Sequence, residues 1–143
     1  MKKLAVIIIT VIVLLATGML SFCYFYYSYG KEGHVERAER TIGSSEHFTN
    51  DELNAAADFV TEYFRQNFKG CKLQSLTFDE QRSERAKGNN YNSPDTVVLF
   101  SDFNVYPTSG TPENYARKNH DFEWILRKDD NGVNGWELLT WGY

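Results

Sequence analysis

The sequence predicts an α+β domain behind a membrane-spanning helix, with one long helix packed on a curved antiparallel sheet of about four strands. Three observations predict it. Residues 4–29 run 26 positions without a charge, directly after Lys2 and Lys3. Residues 49–70 carry a capped helical stripe. Beyond residue 71, short stretches of alternating apolar residues are separated by turn signals.

The apolar run LAVIIITVIVLLATGMLSFCYFYY is long enough to cross about 30 Å of hydrocarbon, which needs about 20 residues. Tyr24, Phe25, Tyr26, Tyr27 and Tyr29 crowd its end, where amphipathic rings prefer the membrane–water interface. A cleaved signal peptide is the rival reading, with Ala16-Thr17-Gly18 as a small-residue triplet. Cleavage there would leave a sticky apolar end, and Phe22 before Cys23 does not suit lipid modification of that cysteine. The expectation is therefore an uncleaved signal-anchor. Lys2 and Lys3 favour a cytoplasmic N-terminus, although Lys31, Arg37 and Arg40 partly compensate on the other flank. The chain divides into a cytoplasmic tail (1–3), a transmembrane anchor inserted in the lipid bilayer (4–29), a polar stalk (30–47) and an extracytoplasmic domain (48–143).

All 19 acidic residues follow Tyr29, while two of the 15 basic ones precede the apolar run. The polar part is thus more acidic than the whole chain at −4. That balance speaks against nucleic acid, whose binding needs basic groups to release phosphate counterions. Cys23 and Cys71 fall in different environments and show no CxxC or Cys/His zinc spacing. No glycosylation sequon occurs.

Gly30–His47 is charged and ends in Gly43-Ser44-Ser45, the composition of a stalk, with His34 and His47 solvated. Thr49 and Glu52 have capping-box spacing, with Phe48 and Leu53 as the hydrophobic staple. Leu53, Ala56, Ala57, Val60, Phe64 and Phe68 then step by three and four along one face. Lys69-Gly70 ends the helix. Lys72–Phe78 reads as a strand whose alternation slips at Ser75, the mark of a bulge. Asp79–Lys87 reads as a charged surface turn of helix, and 88–94 as a loop.

Thr96–Tyr106 is the strongest strand. Val97, Leu99, Phe103 and Val105 line one face, and the other turns from Val98 and Phe100 to Asp102 and Asn104. It therefore reads as covered along part of its length and open beyond. Pro107–His120 is a 14-residue connection, a length that is uncommon in a small domain and often functional or mobile. Asp121–Arg127 alternates with Phe122, Trp124 and Leu126 inward. Asp130-Asn131-Gly132 and Asn134-Gly135 signal a hairpin into a last strand, Trp136–Tyr143.

Few residues invite a chemical role. His120, Asp121 and Glu123 make a candidate acid–base or metal group that Asp102 and Asn104 are placed to join. Strand alternation alone explains Asp121 and Glu123 as a solvated face. There is no HExxH, no GxSxG and no phosphate loop. Trp124, Trp136 and Trp141 fit a core better than a ligand cleft. The expectation is a non-enzymatic domain without catalytic residues, metal ligands or cofactor. Asp102, His120, Glu123 and Trp141 are its ligand-binding candidates, and a protein partner or second copy is its expected company.

The runs FTNDELNAAADFVTEYFRQNFKGCKL, DFEWILRKDDNG and GWELLTWGY resemble uncharacterised membrane-anchored and lipoprotein domains of low-GC Gram-positive bacteria. The resemblance covers residues 48–143. It implies a small NTF2-like cone, in which a curved sheet wraps a helix, and it implies no particular activity. This chain departs from that pattern in its helix count. Two rival roles go with it: a scaffold component of a secretion or conjugation machine, and a small NTF2-like enzyme or ligand carrier.

Overall fold

A computed structural model of the protein describes residues 2–106 and 117–142. Helix α1 (Lys2–Tyr29) is long and apolar enough to cross a membrane. Its 28 residues at about 1.5 Å rise give about 42 Å. None of its most apolar window is buried against the rest of the chain, unlike the core helix of a soluble protein. Its two threonine hydroxyls return to the helix itself: Thr10 Oγ1 donates to Val6 O at 2.9 Å and Thr17 Oγ1 to Val13 O at 2.9 Å. That self-satisfaction is what hydrocarbon demands of polar groups.

Beyond it come β1 (Glu39–Ile42), α2 (Asn50–Asn67), β2 (Cys71–Phe78), α3 (Glu80–Lys87), β3 (Thr96–Val105), β4 (Lys118–Val133) and β5 (Trp136–Gly142). The strands form one open five-stranded sheet in the order β1-β2-β3-β4-β5. The sheet is mixed, which corrects the expectation of about four antiparallel strands. The extra strand, β1, lies inside the segment read as a stalk and pairs parallel with β2. Parallel neighbours need a crossover, and α2 supplies it. Four residues with almost no burial contrast left no period to recognise.

The stalk reading fails at its start as well. Gly33 N–H donates to Arg65 O at 2.7 Å, His34 N–H to Cys71 O at 2.8 Å, and Leu73 N–H to His34 O at 2.8 Å. His34 is half-buried rather than solvated. Its ring stacks on Tyr29 with centroids 3.6 Å apart, and Tyr29 meets Tyr106 edge-on at 5.5 Å. The end of α1 therefore packs directly on the sheet domain.

Helix α2 buries Leu53, Ala56, Ala57, Val60 and Phe64 completely. Phe64 and Phe68 stack at 4.8 Å and meet Phe103 and Trp124. The expected capping box is formed, with Thr49 N–H donating to Glu52 Oε2 at 2.8 Å and Glu52 N–H to Thr49 Oγ1 at 3.2 Å. Such a cap stabilises by about 1 kcal/mol. Glu52 also ties α2 to the sheet, because Lys128 Nζ donates to its carboxylate and Trp136 Nε1 to its carbonyl at 3.1 Å.

Lys128 and the Thr49 cap together hold the Glu52 carboxyl down at about 2, below its ordinary 4.5. A depressed carboxylate contributes its stability above the unfolded value and loses it as the folded value is approached. Stability is thus expected to fall as pH drops from about 4.5 to about 2. Glu52→Gln should flatten that part of the pH profile in urea titrations. An unchanged profile would remove Glu52 as the tie.

The other sheet face carries a second helix, where a single long helix was expected. Asp79 caps α3, accepting from Arg82 N–H at 2.7 Å. This helix covers Val98, Phe100 and Ile125, joined by Ala86, Tyr91 and Leu139. Thr77 pairs with Phe100, so Val98 lies just past the end of β2, and its N–H donates instead to the buried Ser83 hydroxyl at 2.9 Å. Asp102 and Asn104 lie past this cover and stay partly exposed, as the strand pattern predicted.

The bulge near Ser75 is present between Leu73 and Ser75. The hairpin turn is Asn134-Gly135, with φ of 55° and 81°, as a two-residue type I′ turn requires. Asp130-Asn131-Gly132 instead lies in β4, where pairing slips between Lys128 and Val133. Most of the Pro107–His120 connection lies outside the described residues. Lys118, Asn119 and His120 belong to β4.

Candidate functional site

The bulge between β3 and β4 organises the polar face. Ser101 pairs with Phe122 and Phe103 with Asn119, so Asp102 stands opposite both His120 and Asp121. Asp121 adopts φ of 57°, the left-handed conformation a bulge asks of its extra residue. Asp102 spans the irregularity: its Oδ1 accepts from Asp121 N–H at 3.0 Å, and its Oδ2 lies 3.2 Å from His120 Nδ1. The Asp121 carboxylate turns to Arg82 at 2.7 Å, whose guanidinium lies 3.5 Å over the Phe100 ring.

Asp102 and His120 line a shallow groove of about 220 Å³ with Gln74, Asn104 and Lys118. An Asp–His pair is the orienting half of a nucleophilic site. The adjacent Ser101 hydroxyl, however, is buried and accepts from Trp124 Nε1 at 2.8 Å. The Cys71 thiol is buried too, and burial pushes it up to about 11. It is therefore a protonated thiol at neutral pH, inert as a nucleophile.

Glu123 and Trp141, the other two candidates, sit elsewhere. They line a larger cleft of about 350 Å³ between the end of α3, the loop after it and the edge of β4 and β5. Lys87, Asn89, Asn90 and Tyr91 form its helix side, and Thr140 its sheet side. Lys87 is only 3% exposed, and its Nζ donates to Glu84 Oε1 at 2.6 Å. Tyr91 N–H donates to Lys87 O at 3.2 Å, folding the loop back over the helix end. Gly88, with φ of 52°, gives the chain the left-handed step that ends α3.

The structure thus brings Asp102 together with His120 and the Asp121 backbone, and places Glu123 with Trp141 in a separate cleft. The four candidate side chains do not converge. The Trp141 ring stacks on Phe122 at 5.7 Å and meets Phe68 at 5.6 Å. It closes one end of the α2-side core while bordering the cleft. Sequence reading missed Lys87, Asn89, Asn90 and Tyr91, which look like helix end and loop. The only signal they carried was a lysine and two amides beside a ring. Comparisons of this chain with protein-family models, curated proteins and solved structures find no match.

Proposed function

We propose that this is a single-pass membrane protein whose sheet domain lies directly against the outer membrane surface and binds a small polar ligand there without transforming it. The observation that carries the reading is the joint between α1 and the domain. His34 lies five positions beyond Tyr29, stacks on it and bridges to β2 beside Lys72. A domain so joined has little freedom to wander from the bilayer. The aromatic cluster around Tyr24–Tyr29 sits where interface-seeking rings belong.

The cleft supports binding. It combines a buried ammonium, a carboxylate and two amides beside aromatic rings, the mixture that orients small ligands. Among the described residues no free nucleophile accompanies the Asp102–His120 pair, and the Cys71 thiol is protonated, which favours binding over catalysis. The layout is in keeping with the resemblance to anchored Gram-positive domains and with a reduced NTF2-like cone, although fold alone does not decide function.

A second reading, a scaffold of a secretion or conjugation machine, draws on β5. Among the described residues, its outer edge has no partner strand. Exposed edges template pairing with another chain.

Peptide mapping of protein recovered from membranes is expected to include residues before Met19. Protease added to intact cells should cut the polar domain. A chain beginning between Met19 and Cys23, or a protected domain, would overturn the topology. For the cleft, Lys87→Met should abolish the thermal shift given by any small-molecule hit that stabilises the unmodified chain. Retention of that shift would place binding elsewhere.

A further inference from the structure

Because β1 and β2 run parallel, both leave the sheet at the same end. Gly43 N–H donates to Phe78 O at 3.0 Å, which locks the two exits side by side. The segment after β1 carries His47. The segment after β2 opens α3, where Glu80 and Glu84 stand one turn apart on one face. The ligand atoms of His47, Glu80 and Glu84 all lie within 4.8 Å of one another.

A second observation points the same way. Glu80 Oε2 is shielded from solvent and has no hydrogen-bond partner among the described residues. Buried acceptors are nearly always paired, by protein, water or an ion, and the same Glu80 side chain belongs to a cluster that gathers an imidazole and a second carboxylate. Glu84 is already held in place through its Oε1, which accepts from Lys87.

We propose that His47, Glu80 and Glu84 bind one zinc ion, which clasps the β1–α2 connection to α3. One imidazole nitrogen and two carboxylate oxygens suit zinc. Calcium and magnesium prefer all-oxygen shells, and copper(I) prefers sulfur. Zinc bonds of about 2.0–2.2 Å require ligand atoms gathered within a limit such as this 4.8 Å. His47 is exposed and can adjust to the ion by rotating its side chain. Three protein ligands leave a fourth tetrahedral position for water or for a group from a partner. Glu84 is shared with the cleft through Lys87, so His47 and Glu80, which do not line the cleft, are the positions that test the zinc site separately.

The test uses the full untagged chain in detergent, stripped with a chelator and titrated with zinc chloride by calorimetry. One zinc per chain is expected, with a rise in the thermal midpoint. Glu80→Gln, which keeps the side chain's shape, and His47→Ala should each weaken zinc by at least about 10-fold. His120→Ala should leave binding unchanged. In the unmodified chain, zinc should also protect His47 from carbethoxylation by diethyl pyrocarbonate, a readout that needs no variant to fold. Absence of stoichiometric binding, equal affinity in His47→Ala, unprotected His47, or loss of binding with His120→Ala would each overturn the proposal.

Discussion

Trp124→Ala is expected to destabilise the sheet domain by about 3–5 kcal/mol, a large share of the 5–15 kcal/mol typical of a whole domain. Trp124 is fully buried at the centre of an aromatic cluster. It meets Tyr63 at 6.0 Å, Phe68 at 5.2 Å and Phe122 at 5.3 Å. Truncation opens a cavity beneath α2 that those rings cannot fill together, because each is also held by other neighbours. It also leaves the buried Ser101 hydroxyl without its donor. Trp124→Phe should cost less, since it keeps most of the ring volume and loses the hydrogen bond. Denaturant titration of the full chain in detergent measures both. Equal losses for the two variants would mean that the Ser101 bond, rather than packing, dominates.

Gly33→Ala is expected to cost about 1–3 kcal/mol and to free the joint between α1 and the domain. A Cβ at position 33 would lie 2.4 Å from Phe64 O and 3.0 Å from Phe68 O. Both atoms are backbone at the end of α2, so they cannot swing aside. Glu32, Gly33 and His34 are threaded there by backbone hydrogen bonds to Gly70, Arg65, Cys71 and Leu73. Displacing them should break the Tyr29–His34 stack and speed amide exchange across residues 32–42. Hydrogen-exchange mass spectrometry reads this directly, and Gly18→Ala, with open space around its Cβ, is the control. Exchange at wild-type rate in Gly33→Ala would show that the joint does not depend on the close approach. The domain would then not be fixed to the membrane in the proposed way.

These two positions mark where sequence reading succeeds and where it stops. Trp124 was legible: it alternates with Phe122 and Leu126 along a strand, and alternation reports which face is buried. Gly33 was not, because a glycine in a charged run looks like linker and its neighbour, Phe64, lies 31 positions away. The candidate site divides similarly. The alternation that set Asp121 and Glu123 on a polar face was visible, and so was the strand carrying Asp102. The bulge that pairs Asp102 with His120 and sends Asp121 to Arg82 was not. A bulge is fixed by the register between two strands and leaves little trace in either alone.

By itself, the sequence determined what local physics controls. It specified an apolar helix long enough for a bilayer, the capping box and stripe of α2, the slip at Ser75, the alternating strands and the Asn134-Gly135 turn. Each depends on residues within a few positions of one another. Tertiary structure alone decided that β1 joins the sheet, that α3 covers its second face, that the supposed stalk is part of the fold, and which polar groups meet. The parallel pairing of β1 with β2 brings His47 beside Glu80 and Glu84, although 32 positions of chain separate His47 from Glu80. Contacts closed across that distance depend on how whole elements stack, and no short stretch of sequence carries that information.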